Sequence, residues 1–304
     1  MLKTDHLLDA QALMSVTPAQ TSEPSRRTAL KLTVGVGYAA STLPTMAQTA
    51  IKTSADGLES GEVMIDVAGF KMPAYRARPA GKANLPVVLV LSEIFGVHEY
   101  IADTARRFAK AGYLAIAPEL FVRQGDAQSY GEMAKLMSEV ISKVPDAQVS
   151  GDLDATVAWA AANGGNVDKL GVTGFCWGGR QTWLYAAHNP KVKAGVAWYG
   201  RLVGDTTTLT PANPVDVAEK LKGPVLGLYG AADTGIPLDT IDKMKAALAK
   251  AGGQGNAAAK ESQFVVYPDA PHAFHADYRP SFRKEPAEDG WKRALAWFKQ
   301  HGVS

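Results

Sequence analysis

The chain has 304 residues, of which 46% are hydrophobic, so it is long and apolar enough to form one large buried core. The formal net charge is only +2 and no basic cluster lies beyond the N-terminus, so the composition does not indicate nucleic-acid binding. A single cysteine excludes an intramolecular disulfide framework and a structural zinc site built on several cysteines.

The first fifty residues differ in character from the rest of the chain. Arg26 and Arg27 form a twin-arginine pair, and the charge-free run after them, residues 32–50, is rich in Gly and Ala and is broken by Pro44. This arrangement is typical of a twin-arginine export signal and not of a permanent transmembrane helix. We therefore expect contact with the twin-arginine translocation machinery, no stable membrane span after processing, and a periplasmic or otherwise exported protein.

Small residues at Thr45 and Ala47 offer a cleavage site. They divide the chain into an export signal and leader (1–47), a linker (48–60) and one globular domain (61–304). The alternative is a disordered leader or a misassigned start site, because the arginine pair lies unusually far from the first residue. In that case we expect a cytoplasmic protein.

The globular part begins with a predicted β-hairpin whose strands, 62–67 and 72–77, flank a turn at 68–71. Short apolar runs then alternate with stretches of helical period, and such runs are typical of strands buried on both faces. The predicted strands are one that starts at Leu170 and the runs 87–91, 114–117, 194–198, 225–229 and 264–267. The predicted helices are 101–111, 130–144, 152–162, 180–188, 239–251 and 287–301. This alternation predicts a mostly parallel central sheet with helices on both faces.

The strand from Leu170 runs into Gly174-Phe175-Cys176-Trp177-Gly178-Gly179, and a helical pattern follows. This is a nucleophile elbow with cysteine in the serine position, which predicts an α/β-hydrolase fold. The turn is too tight for side chains at its glycines, and it exposes Cys176 on a strained backbone at a helix N-terminus that favours a thiolate. A lone cysteine is otherwise a small buried side chain, but these neighbours favour a nucleophile.

An α/β-hydrolase places nucleophile, acid and histidine in that order, each on a loop at the carboxyl end of a strand. Asp233 follows the predicted strand 225–229, and His272 follows the predicted strand 264–267. We expect His272 to keep the thiol ionised or take its proton and later activate water, while Asp233 fixes the ring tautomer. Read alone, an aspartate there is a turn or cap residue and a loop histidine is a surface residue.

His275 lies three residues after His272, a spacing that suits a metal pair. No third ligand is apparent in the sequence, so we expect no metal site. We also expect no cofactor, because the predicted chemistry is nucleophilic and backbone donors can stabilise the charge that develops.

The loop after the first buried strand carries the other informative residues. In this fold one oxyanion-hole N–H comes from that loop and the other from the residue after the nucleophile, which assigns Ile94 and Trp177. Glu93 places a carboxylate beside this hole. It is either a loop cap or a base that accepts the proton of the thiol.

Three segments together resemble dienelactone hydrolase, also called carboxymethylenebutenolidase, over a region from about Gly61 to the C-terminal helix. They are Glu93-Ile94-Phe95-Gly96-Val97, the elbow described above, and Pro271-His272-Ala273-Phe274. The resemblance implies that Glu93 holds the resting cysteine and that substrate binding shifts Glu93, which then deprotonates the thiol. The resemblance further implies that the thiolate of Cys176 opens a lactone ring, forming a thioester acyl-enzyme.

Members of this family bind the carboxylate of the substrate with arginines. Arg123 looks like one such position, and a guanidinium suits a planar carboxylate. The second arginine of the family lies close behind the histidine, where this sequence has Ala276 and Asp277. Arg279 follows them, and either it substitutes for that arginine or the substrate differs. Export is a further departure, because degradation through dienelactones would ordinarily be cytoplasmic.

The sequence therefore predicts a single-domain hydrolase that opens a small-molecule lactone or ester carrying an acidic group. One alternative is a broad carboxylesterase or thioesterase of the same fold. Another is a non-catalytic binding protein that keeps the fold without turnover. The presence of nucleophile, acid and base together favours an enzyme.

Overall fold

The computed structural model describes residues 50–304. The predicted export signal, with Arg26, Arg27 and the cleavage site at Ala47, lies outside the described residues and stays a prediction. Within 50–304, no helix combines the length and the apolar character that crossing a membrane requires.

Eight strands and seven α-helices make up the described part of the chain. In order they are β1 (Leu58–Val67), β2 (Phe70–Pro79), β3 (Leu85–Leu91), α1 (Glu99–Lys110), β4 (Leu114–Pro118), α2 (Met133–Glu139), α3 (Asp146–Ala162), β5 (Gly165–Phe175), α4 (Trp177–His188), β6 (Val192–Trp198), β7 (Val225–Gly230), α5 (Leu238–Gly253), α6 (Ala257–Glu261), β8 (Gln263–Tyr267) and α7 (Lys284–Gln300). Short 3-10 helices occupy Ala127–Ser129, Ile141–Lys143 and Pro214–Lys220.

All eight strands form one sheet in the order β1-β2-β4-β3-β5-β6-β7-β8. The six strands from β4 to β8 in this order run parallel, whereas β1 and β2 pair antiparallel with each other and β2 pairs antiparallel with β4. Successive residues of a strand point to opposite faces. On β6, Gly195 faces Thr182 of α4 and Trp198 faces Gly290 of α7. Helices therefore cover both faces, and the predicted fold class is confirmed.

The N-terminal hairpin is longer than predicted and its turn is shorter. Ala68 and Gly69 form a two-residue turn with φ values of 50° and 89°, the left-handed geometry that suits a tight hairpin. The longer strands result from pairing that continues to Leu58 opposite Pro79, so β1 reaches into the predicted linker. Thr53, further towards the N-terminus, donates its backbone N–H to Asp103 of α1 over 2.6 Å.

Two helical predictions differ from the structure. The predicted helix 130–144 is interrupted after α2 and continues as a 3-10 helix, at a point where Val140 and Ile141, adjacent in sequence, are both buried. The helix α6 was not predicted, because the glycine-rich segment before it was interpreted as a flexible connection. Asn256 in fact caps α6, since its side chain accepts the N–H of Ala259 over 2.9 Å.

The nucleophile elbow between β5 and α4 is packed backbone against backbone. A Cβ atom on Gly174 would lie 2.1 Å from the carbonyl oxygen of Gly178. A Cβ on Gly178 would lie 2.4 Å from the carbonyl oxygen of Leu91, at the end of β3. A Cβ on Gly179 would lie 2.5 Å from the carbonyl oxygen of Trp198. Glycine at these positions therefore lets the N-terminus of α4 meet the carboxyl ends of β3 and β6.

We expect Gly178→Ala to lower the free energy of unfolding by about 2–4 kcal/mol, because the new methyl group overlaps a backbone oxygen that cannot rotate away. The matched control is Gly151→Ala in α3, where an added Cβ meets no atom within 4 Å. This control should gain up to about 1 kcal/mol, since alanine is the better helix former. Urea unfolding measures both; equal stabilities of the two variants would contradict the packing argument.

Candidate active site

Cys176 lies at the bend between β5 and α4 and has a strained backbone. Its φ of 54° and ψ of −115° are unusual for a residue with a side chain, and its N–H donates to the carbonyl oxygen of Trp198 over 3.0 Å. The residue forms the N-cap position of α4 and is buried, 5% exposed, so the expectation that the elbow exposes it was wrong. The thiol is therefore held beside the first turn of a helix, where a negative charge is favoured.

Asp233 and His272 lie on the loops that follow β7 and β8, and they are joined by a hydrogen bond. His272 Nδ1 and Asp233 Oδ2 are 2.7 Å apart, and both residues are at most 5% exposed. The other carboxylate oxygen of Asp233 accepts the N–H groups of Gly235 at 2.9 Å and Ile236 at 3.2 Å. The aspartate is thus fixed at both oxygens, and it holds the ring through Nδ1 so that Nε2 is left for chemistry.

The charges around His272 favour its protonated form. Burial alone lowers the pKa of this imidazole, but the negative charges of Asp233 and of the Cys176 thiolate outweigh burial. The pKa of His272 consequently lies well above its ordinary value. A protonated histidine held in this way next to a cysteine stabilises the thiolate once the thiol has lost its proton.

The two predicted oxyanion donors follow paired strands at matching positions. Leu91 of β3 pairs with Gly174 of β5. Ile94 lies three residues after Leu91, and Trp177 lies three residues after Gly174. Trp177 is the first residue of α4, so its N–H has no acceptor within the helix. The loop of Ile94 is tied down by a buried carboxylate, because Glu119 accepts the N–H of Val97.

Glu93 is fully buried and lies in a polar chain that the sequence did not reveal. Its Oε2 accepts the hydroxyl of Tyr278 over 2.8 Å, and that hydroxyl accepts Nε–H of Arg279 over 2.9 Å. The guanidinium of Arg279 also stacks 4.9 Å from the ring centre of Phe95. Tyr278 therefore connects Arg279 to the predicted base, although no motif marks this tyrosine.

Arg123 makes its contacts elsewhere. Its guanidinium forms an ion pair with Asp152 at 2.6 Å and lies 4.2 Å from the ring centre of Phe70. The structure thus links Arg279 through Tyr278 to Glu93, the predicted base. Arg123 instead contacts the N-terminal hairpin and α3. Binding of a substrate carboxylate by Arg123 stays a prediction.

His275 is buried in an aromatic cluster. Its Nδ1 lies 2.6 Å from the hydroxyl of Tyr100, and its ring packs on Phe175 and Trp198. Burial, and secondly the positive charge of Arg107, hold the pKa of His275 well below its ordinary value, so the ring is neutral. Among residues 50–304, no group of three or more His, Cys, Asp or Glu side chains is arranged to hold a metal ion.

His98 is a second histidine close to Glu93. Its ring stacks on Tyr100 with centres 5.9 Å apart and meets Tyr278 edge-on at 5.0 Å. Burial lowers the pKa of His98 to about 4; the charge of Glu93 opposes this effect, and that of Arg279 adds to it. No sequence pattern predicted that His98 lies in the site, because a single histidine in a loop has no distinguishing neighbours.

A comparison of the sequence with known protein families agrees with the geometry of the site. Residues 72–302 match the family described as "Dienelactone hydrolase family". The chain belongs to the dienelactone hydrolase family. It is accordingly a dienelactone hydrolase-like hydrolase, and the predicted resemblance is confirmed at the level of the family.

Relatives of this dienelactone hydrolase-like chain match between 79% and 92% of its length. A protein of Methylorubrum extorquens named "Putative carboxymethylenebutenolidase" is 59% identical over 281 residues, covering 92% of this chain and 94% of the relative. A solved structure, the "Putative Dienelactone Hydrolase" of Klebsiella pneumoniae, is 55% identical with a TM-score of 0.77, covering 80% of this chain and 99% of that one. A Bradyrhizobium protein named "Probable 2-oxo-3-(5-oxofuran-2-ylidene)propanoate lactonase" is 31% identical over 242 residues, covering 79% of this chain and 93% of the relative.

We expect His98 to make the fold sensitive to acid. Above pH 6.5 the ring is neutral in both states, whereas below it the unfolded chain takes up a proton that the folded protein, with a pKa of about 4, does not. The free energy of unfolding should therefore fall by about 3 kcal/mol between these pH values on account of this group. His98→Phe keeps a ring but does not titrate. Over the same pH range, the free energy of unfolding of this variant should therefore fall by about 3 kcal/mol less than that of the wild type.

Urea unfolding of both proteins at pH 7, 5.5 and 4 measures this difference. The contribution of His275 is common to both proteins and cancels in the comparison. Parallel curves of stability against pH would contradict the assignment.

Proposed function

We propose that this protein hydrolyses a lactone or small ester carrying an acidic group, with Cys176 as the nucleophile. The observation that carries the proposal is the 2.7 Å hydrogen bond between His272 and Asp233, beside a cysteine held at a strained elbow. His272 acts as the acid and base, and Asp233 orients its ring and stabilises the imidazolium.

The reaction proceeds in two steps. The thiolate of Cys176 adds to the lactone carbonyl carbon, and the oxygen that becomes negative accepts the N–H groups of Ile94 and Trp177. The ring C–O bond then breaks, which leaves a thioester on the cysteine and a carbon-bound oxygen that takes a proton from His272. Water next adds to the thioester carbon while His272 removes its proton, the C–S bond breaks, and the hydroxy acid leaves. The thiolate then regains its proton from Glu93, so the thiol re-forms.

Glu93 is the base that receives the proton of the thiol when substrate arrives. Its carboxylate is fully buried and is hydrogen-bonded through one oxygen only, to Tyr278, within the described part of the chain. A carboxylate with an unused oxygen in an apolar setting is a competent proton acceptor.

The acidic group of the substrate is bound by Arg279. Among residues 50–304, Arg279 donates a hydrogen bond through Nε to the hydroxyl of Tyr278. Its two Nη groups therefore remain for a carboxylate. The name of the Bradyrhizobium relative describes a lactone that carries a propanoate group, which supports an acidic substrate for this chain as well. Arg123 is the second candidate for binding that group.

Hydrolysis of cis- and trans-dienelactone beside a neutral aryl ester tests the reaction. We expect turnover of the lactones to exceed that of the ester, and Cys176→Ala to lower kcat/KM on the order of 10³-fold or more, because the nucleophile is removed. Asp233→Asn should cost about 10²- to 10⁴-fold, since the ring loses its correct tautomer.

The arginine variants serve as the control for the acidic group. Arg279→Gln should raise KM for the lactones about tenfold and leave the neutral ester unaffected, and Arg123→Gln adds to this effect if it shares the ligand. A double variant whose KM values for the lactones and for the neutral ester are both unchanged from the wild type would remove the arginines from the proposal. Ester turnover without lactone turnover would indicate a general esterase, and turnover of neither would indicate a binding protein.

We further propose that the protein is exported by the twin-arginine route, on the basis of Arg26, Arg27 and the apolar run that follows them. Replacing both arginines with lysine keeps the charge, and we expect it to retain the protein in the cytoplasmic fraction of an expressing bacterium. Cell fractionation with immunoblotting measures this. An unchanged distribution of the double variant would overturn export by this route.

A further inference from the structure

Tyr199 lies next to Cys176 and takes no part in the steps above. Phe175 at the end of β5 pairs with Trp198 at the end of β6, so Cys176 and Tyr199 are the next residues on two neighbouring parallel strands. Both have left-handed backbones, with φ values of 54° and 38°. The two side chains therefore leave the sheet at the same level of its carboxyl edge.

The backbone of Tyr199 is held in this conformation from two sides. Its N–H donates to the carbonyl oxygen of Leu228 over 2.8 Å. Gly200, which follows it, is packed so closely that an added Cβ would lie 2.3 Å from the backbone nitrogen of Arg180 in α4. A positive φ is costly for an aromatic residue and persists only where the surroundings enforce it, as they do here.

The hydroxyl of Tyr199 is buried without a hydrogen-bonding partner among the described residues. Buried tyrosine hydroxyls ordinarily have one. The ring packs edge-on against His272 with centres 5.2 Å apart, which places it against the imidazole that serves the cysteine. The hydroxyl of Tyr100, which pairs with His275 Nδ1, also lies close enough to interact with that of Tyr199, although not in a regular hydrogen-bonding geometry. Burial, followed by the interaction with Tyr100 and the charges of Glu93 and Cys176, holds the pKa of Tyr199 well above its ordinary value, so the hydroxyl stays a donor.

We propose that the hydroxyl of Tyr199 donates a hydrogen bond to the thiolate of Cys176 and thereby favours the charged form of the nucleophile. The inference rests on the proposed role of this cysteine. A charge-assisted O–H donor to an anion in a buried site is among the stronger hydrogen bonds in proteins. The other charged groups that act on the thiol are His272 and Arg279, which favour the thiolate, and Glu93, which opposes it.

The ultraviolet absorbance of the thiolate, titrated on the full chain, tests the proposal directly, because Cys176 is the sole cysteine of the sequence. We expect Tyr199→Phe to raise the pKa of the thiol by about one pH unit, since a donor to the charged form is lost. Alkylation by iodoacetamide, measured at a pH below the pKa of the thiol, should slow about tenfold for the same reason.

Tyr113→Phe is the matched control. Tyr113 is also a buried tyrosine, but its hydroxyl donates to the carbonyl oxygen of Val303 over 3.1 Å, away from the cysteine. Thermal unfolding of both variants shows whether each remains folded. A raised thiol pKa in Tyr199→Phe alone supports the proposal.

An unchanged thiol pKa in folded Tyr199→Phe overturns the proposal, even if lactone turnover falls. An equal rise in both variants overturns it as well, because a general loosening of the fold would then be the cause. The titration needs no substrate, so it is readable whether or not the wild-type protein hydrolyses a lactone. Failure of the proposed function and failure of this inference are therefore distinguishable.

Discussion

The close packing at the nucleophile elbow is the constraint on which the site depends. Gly178 allows the first turn of α4 to touch the carbonyl oxygen at the end of β3. That contact brings Trp177 level with Ile94 and places Glu93 beside the cysteine. A side chain at Gly178 would separate the two loops, and with them the groups to which we assign the roles of nucleophile, proton acceptor and oxyanion donors. Catalytic geometry here is thus a property of backbone packing, to which the polar side chains are added.

Buried charges around this elbow are arranged as hydrogen-bonded chains of opposite sign. Asp233 holds His272 on one side, while Arg279 and Glu93 share the hydroxyl of Tyr278 on the other. An unpaired charge at this depth would be costly, and each chain reduces that cost by pairing. Tyr278 also separates Arg279 from Glu93, so the guanidinium is not committed to a full ion pair with the base. An acidic ligand can therefore engage Arg279 without first breaking a direct salt bridge.

Motif and strand alternation were enough to predict the fold and the positions of Cys176, Asp233 and His272 relative to the strand ends. They work because each of these features is local in sequence. Register between strands is not local, and this is why Tyr199 went unnoticed: it becomes a neighbour of Cys176 only through the pairing of β5 with β6. The ion pair that occupies Arg123 has the same origin, since its partner Asp152 comes from a helix 29 residues away.

The site retains several buried polar atoms for which the described part of the chain supplies no partner. They are Ser92 Oγ, Glu93 Oε1, Tyr199 Oη and His272 Nε2. In a folded protein such atoms are few, because each one forfeits the hydrogen bonds that water gave it in the unfolded chain. Because these atoms lie near one cysteine, a ligand that bonds to them would restore hydrogen bonds that were lost on folding. Under the proposed function, the donors among them would face a substrate on which negative charge develops, so the recovered energy would appear most fully in the transition state.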